Sequence, residues 1–203
     1  VATDIAFEDA GAFPHAVENT SALNSSLWAT DVSGSAGSMT VDDTETAPNV
    51  DALSVSTSSQ TDTDTAIATF DLTQADVDSP ITSDEEKRYL QFVADVNTLD
   101  AGTTVDVRVV DSDGDYYSAE INTSRSSGED FITNSTGEGI IYQQQLGELT
   151  MTQNGDGTFN DIESVKIVVQ DGNADVEISA LNVDKLGAWD FGDQMVDTDD
   201  DDE

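Results

Sequence analysis

From Val50 onward, apolar and polar positions alternate with a period of two, the mark of strands that keep one face dry. Leu53 and Val55 alternate with Ser54 and Ser56, and Ala66 to Leu72 reads as a second strand. Leu90, Phe92, Ala94 and Val96 share a side opposite Tyr89, Gln91 and Asp95. Val105, Val107 and Val109 share another, ahead of a turn at Asp111–Asp115 and a strand from Tyr116 to Ile121. Tyr116 and Tyr117 put one ring on each side of that strand, so at most one of them belongs to the core face. Ile140 to Tyr142 begin a further strand, and Leu146, Leu149 and Met151 are expected to carry the next. Ile162–Gln170, Asp171-Gly172 and Ala174–Val183 then read as an antiparallel hairpin, because Asp-Gly between alternating runs favours a tight turn. A hairpin alone is marginal, so its dry face needs the other strands.

Polar loops separate these runs at 56–65, 76–86, 124–139 and 153–160. Residues 1–49 differ. Phe7, Phe13, Leu23, Leu27 and Trp28 stand there as isolated apolar points, around a flexible Ser33–Ser38 stretch, and Phe7, Phe13 and Trp28 are candidates to anchor the segment on its own core or on a neighbouring subunit. The expected organisation is an extended N-terminal arm (1–49), a sandwich (50–191) and an acidic C-terminal tail (192–203). Trp189, beside Phe191, looks like an edge seal. Eight or nine short strands and almost no helix predict an all-β, two-sheet antiparallel β-sandwich, jelly-roll-like, with an immunoglobulin-like sandwich as the alternative. Ile162–Val183, an apolar strand, an Asp-Gly turn and a second strand, resembles the closing hairpin of jelly-roll domains of the carbohydrate-binding and galactose-binding-like type. That resemblance implies a fold and names no ligand.

Charge changes the picture of the surface. The chain of 203 residues has 43 acids against six Lys and Arg, a formal net charge of -37. Such a surface repels itself at low salt, and at about 1 M salt a Debye length of about 3 Å removes most of that cost. Scarce basic residues among abundant acids resemble proteins of extreme halophiles, the haloarchaea in particular. A surface of this kind has no basic patch for phosphates, so nucleic acid is excluded as a partner, an anionic lipid surface is disfavoured and acidic substrates are expected to be repelled. No run approaches the 18 apolar residues of a membrane span, so no membrane insertion is expected. There are no cysteines, hence no disulfide and no thiolate metal site. The chain opens Val1-Ala2-Thr3, with no initiator methionine or signal segment, which fits an unwritten methionine or a trimmed precursor. Four Asn-x-Ser/Thr sequons, at Asn19, Asn24, Asn122 and Asn134, suggest surface exposure.

Candidate chemistry is confined to two acidic loops. Asp111, Asp113 and Asp115 alternate around Gly114, a spacing that turns several carboxylates toward one hard cation, Ca2+ or Mg2+. Asn154 and Asp156, in Asn-Gly-Asp-Gly, form the second candidate. Neither loop has the full calcium-loop pattern, and in so acidic a chain clusters also arise by composition. The single histidine, His15, rules out a Ser-His-Asp triad and a His-rich zinc site, and no phosphate-cradling glycine loop is present. Paired carboxylates of a glycoside hydrolase stay open, since their separation is not legible in sequence.

The reading these features favour is a non-enzymatic structural protein of a halophilic assembly: a capsid, decoration or spike subunit of a haloarchaeal virion. Phe7, Phe13, Trp28 and Trp189 would be its interface residues, and its partners further copies or other virion or surface proteins. The alternative is an extracellular carbohydrate-binding, lectin-like module of a halophile with a glycan partner, and a secreted glycoside-active enzyme comes third. Each places the protein on a virion or outside a cell, in high salt.

Overall fold

The computed structural model describes residues 22–34, 37–47, 50–73, 81–121 and 139–184. Ten strands occupy them: β1 (Trp28–Val32), β2 (Ser38–Ala47), β3 (Val50–Ser58), β4 (Thr65–Asp71), β5 (Tyr89–Leu99), β6 (Thr104–Val110), β7 (Tyr116–Ile121), β8 (Gly139–Gln145), β9 (Ser164–Gln170) and β10 (Ala174–Asp184). They form two five-stranded sheets, ordered β1-β4-β9-β6-β7 and β2-β3-β10-β5-β8, and every pairing is antiparallel. The protein is an all-β sandwich of jelly-roll-like architecture.

Alternation explains how the two sheets meet. In the first sheet Trp28, Phe70, Val165, Val109 and Tyr117 stand in one register row across all five strands. All five are buried. In the second sheet Val55, Val176 and Val96 form a comparable buried row across β3, β10 and β5. Phe70, Phe92, Leu53, Ile167 and Ile178 are among the largest fully buried side chains, and burying each contributes about 1.5–3 kcal/mol.

Three expectations change. The first concerns the 1–49 arm: β1 and β2 lie within it, yet each belongs to a sheet. Both are edge strands, which explains the muted pattern. Trp28 and Met39 are buried, whereas Ala29, Thr30 and Asp31 on β1 are exposed. Of the two roles expected for Trp28, it takes packing on its own core and not the interface with a neighbour. Its ring packs 5.5 Å from Phe70 and its Nε1–H donates to the carbonyl of Ala22 at 2.7 Å, all within its own chain. Phe7, Phe13, His15, Trp189 and the 192–203 tail lie outside the described residues.

The second change concerns the expected hairpin. β9 and β10 belong to different sheets. β4 and β6 hold both edges of β9, and β3 and β5 hold both edges of β10, so neither has an edge free for the other. Asp171-Gly172 is therefore a corner between sheets. Asp171 sits at φ 63 and Gly172 at φ 147, and a Cβ on Gly172 would collide with the Thr103 hydroxyl. Positive φ suits a tight hairpin turn and an arch between sheets alike. Further back, Leu146 starts a short 3-10 turn, Leu146–Glu148, where a strand was expected.

Candidate binding site

The two acidic loops of the sequence meet in space. The 111–115 loop closes the β6–β7 hairpin, and 153–160 lies against it. Asp115, fully buried, accepts N–H bonds from Asn154 and Gly155 on Oδ1 and from Gly157 on Oδ2, all at 2.6–2.7 Å. Asp111 Oδ1 accepts from the N–H groups of Asp113, Gly114 and Asp115, and Oδ2 from Asn160. Asp113 Oδ2 accepts from Asp156. Gly155 passes so close to the Asp113 carboxylate that a Cβ there would collide with it.

These donors split the carboxyls electrostatically. The Gly155 N–H holds Asp115 below the usual carboxylate range, with the N–H groups of Asn154 and Gly157 adding to it against burial. Burial pushes Asp111 the other way, against the N–H of Asn160. Asp111, Asp113 and Asp115 each offer an oxygen within 4.8 Å of the others, a buried-to-exposed trio able to hold a divalent cation. Each carboxylate oxygen has two lone pairs, and those of Asp115 Oδ1 are both engaged by backbone donors. Asn154 and Asp156, expected as ligands, contribute backbone N–H groups to the other loop's carboxylates.

Beside this loop pair an open depression of about 440 Å³ is lined by residues that include Glu86, Lys87, Tyr117, Met151 and Phe159. Tyr117 meets Phe159 edge-on at 4.6 Å and its phenol donates to Glu86 Oε1 at 2.9 Å. Burial, then the Glu86 carboxylate, push its pKa up to about 12. A folded value above the ordinary 10.0 means that this contribution to stability is whole below about pH 10 and is lost as pH rises toward 12. An absorbance titration is expected to show one late-ionising phenol, absent in Tyr117→Phe; a Tyr117→Phe curve identical to wild type would refute the assignment.

The outer face of the second sheet carries a different chemistry. Leu90, Phe92, Ala94 and Val96 turn inward on β5, which leaves Tyr89, Gln91, Val93 and Asp95 facing out, half-buried. On β10 the register shifts between Ser179 and Asn182, where Ala180 takes φ 51. Before this bulge the inward positions are Ala174, Val176 and Ile178; after it they are Leu181 and Val183. The extra residue turns Asn182 outward, as bulges beside functional surfaces commonly re-aim a side chain. Asn182 then pairs across the ladder with Gln91, and Gln91 with Gln143 of β8. Three amides thus stand side by side on three strands, over about 10 Å at a strand spacing of about 4.8 Å. In the next row Tyr89 pairs with Gln145, its hydroxyl 3.4 Å from Gln145 Oε1.

This row has unspent hydrogen-bonding capacity. Asn182 Oδ1 is buried without a partner, as is Asp95 Oδ1 two rows along the same face of β5, and no hydrogen bond ties the side chains of Gln91 or Gln143 to the described residues. Buried polar atoms are nearly always satisfied, so orphans clustered on one face call for a ligand or water. The sequence did not single out these amides. The visible signal was the switch of apolar positions from even numbers (Val176, Ile178) to odd (Leu181, Val183), which marks the bulge.

No family model and no curated protein matches the sequence. Solved structures do match the fold. The family 11 carbohydrate-binding module of the cellulosomal cellulase Lic26A-Cel5E of Clostridium thermocellum aligns with a TM-score of 0.53 at 10% identity, over 78% of this chain and 87% of that one. The jelly-roll fold is similar to that of this module. A family 11 module from Clostridium thermocellum in complex with a β-1,3-1,4-mixed-linked tetrasaccharide gives 0.53 and 10% identity over 77% of this chain and 88% of the module. An exo-β-agarase gives 0.50 at 12% identity over 79% of this chain but only 23% of the enzyme, so the jelly roll matches a part of that protein. For the two family 11 modules the match spans most of both molecules. Among the described residues no helix is long and apolar enough to cross a membrane.

Proposed function

We propose that the protein is a non-enzymatic carbohydrate-binding module, and that it engages a neutral glycan on the outer face of the second sheet. The observation that carries this reading is the row of Asn182, Gln91 and Gln143 with its orphan oxygens, beside Tyr89. An amide offers both donors and an acceptor, which matches a sugar hydroxyl that is itself both. The Tyr89 ring supplies an apolar surface for a sugar face, and Asp95 Oδ1 a further acceptor. The fold likeness to modules that bind oligosaccharides supports the same reading. The acid excess suits an extracellular, saline setting, where screening removes self-repulsion. A virion or surface assembly is a narrower role that this module would serve by attaching to glycans. The Asp111–Asp115 trio closes a hairpin of the other sheet, so a Ca2+ or Mg2+ held there would lie apart from the amide row.

Titration calorimetry in about 1 M NaCl with mixed-linked β-glucan oligosaccharides, then with a panel of neutral glycans, tests the proposal. Each amide–hydroxyl bond contributes about 0.5–1.5 kcal/mol, so Gln91→Ala with Gln143→Ala should weaken binding about tenfold or more, with folding unchanged. No saccharide bound by the wild type, or equal binding by the double variant, would sink it.

A further inference from the structure

The outer face of the first sheet holds a second set of groups with a different charge. Thr69, Lys166, Arg108 and Ser118 stand in one register row across β4, β9, β6 and β7. Lys166 and Arg108 are direct cross-strand partners, and like charges placed opposite each other are destabilising. Among the described residues Lys87 pairs with Asp84, Arg108 with Asp106, and Arg88 is also bonded, but Lys166 has no ion pair and no hydrogen bond. A half-buried lysine left unpaired in a chain with 43 acids is a conspicuous omission. Arg108 is held ready beside it. Its Nε and Nη2 donate to Asp106 Oδ2, Nη2 also reaches Gln170 Oε1 at 3.1 Å, and the guanidinium lies 4.6 Å from the centre of the Tyr116 ring. Nη1 keeps its donors unused.

We propose that Lys166 and Arg108 clamp a carboxylate of an acidic polysaccharide, a polyuronate chain lying across β4, β9, β6 and β7. The ammonium and Nη1 supply charge-assisted hydrogen bonds to the carboxylate, which are stronger than neutral ones. The Thr69 and Ser118 hydroxyls flank the pair and meet sugar hydroxyls, and the exposed side of Tyr116 offers an apolar edge. Arg108 already has Asp106, and the ligand's carboxylate supplies Lys166 with the counter-charge that it lacks in the free protein. The saccharide nature of the ligand rests on the carbohydrate-binding reading above; its charge rests on the Lys166–Arg108 row alone.

The test measures polygalacturonate and a neutral mixed-linked β-glucan side by side, in about 1 M NaCl, where a Debye length of about 3 Å suppresses the general repulsion of the acidic surface. Wild type, Lys166→Gln and the Gln91→Ala/Gln143→Ala double variant are compared. Lys166→Gln removes no hydrogen bond or ion pair, so its Tm should equal or exceed that of the wild type. The expected result is polygalacturonate binding that falls about tenfold or more in Lys166→Gln, as for loss of a hydrogen bond to a charged group, and that the double amide variant leaves unchanged. Polygalacturonate that fails to bind, or binds Lys166→Gln equally well, overturns the proposal whatever the neutral glucan does. A Lys166-dependent polygalacturonate signal with no neutral glycan bound supports this site and rejects the amide row.

Discussion

Trp28→Ala should lower stability by about 3–5 kcal/mol, the usual cost of deleting a large buried aromatic. At a length of 203 residues that is roughly a 10 °C fall in Tm. The ring is 8% exposed, tilted against Phe70, and its indole N–H satisfies the Ala22 carbonyl. Its loss opens a cavity at the β1 edge of the first sheet and leaves that carbonyl short of a donor. Removing residues 1–49 should be more damaging, because β1 and β2 depart together and expose β4 and β3 as bare edges. An N-terminal segment acting only as an arm toward a neighbour would give the opposite result: an unchanged Tm and a loss of assembly. Thermal melts of the monomer at high salt separate the two.

Asp115→Ala is expected to lower Tm by roughly 5–10 °C and to free the 153–160 loop while the sandwich stays folded. Three backbone N–H groups, of Asn154, Gly155 and Gly157, lose their acceptor at once. Asp115→Asn keeps one oxygen and should fall between wild type and alanine. The pH dependence has a definite sign. Because the folded carboxyl lies below its ordinary 3.8, its stabilisation is complete above that value and drains away as pH falls through the lower folded value. Asp111, raised by burial, works in the opposite sense. Asp115→Asn should therefore flatten the acid limb of the stability curve. Hydrogen exchange at Asn154, Gly155 and Gly157 reports the loop directly. If adding Ca2+ restored protection in the wild type after mild acid, or if chelator at neutral pH removed it, the loop would depend on metal and not on its N–H donors.

The β6–β7 hairpin shows what was legible. Val105, Val107 and Val109, the Asp111–Asp115 turn and Tyr116–Ile121 stand where the alternation puts them, since that pairing is between neighbours in sequence. The opposite siding of Tyr116 and Tyr117 was legible too, and the structure shows that Tyr117 is the inward ring. β1 and β2 were hard to see because an edge strand buries few side chains and carries few apolar signals. The Asp171-Gly172 corner was misread for a subtler reason. A turn sequence specifies backbone angles, not which strand edge the chain returns to.

By itself the sequence determined an all-β class, the inward face of each central strand, an acidic surface suited to salt, and the absence of thiol and histidine chemistry. Those are local or compositional properties: a period of two, a count of charges, a residue that is absent. Only the tertiary structure decided which sheet each strand joins, which acidic loop caps which, and which side chains share a row. Asn182, Gln91 and Gln143 come from three strands far apart in the chain, as do Thr69, Lys166 and Arg108. Their adjacency depends on long-range register, and register is set by burying all the inward faces together, a collective condition that no single stretch contains.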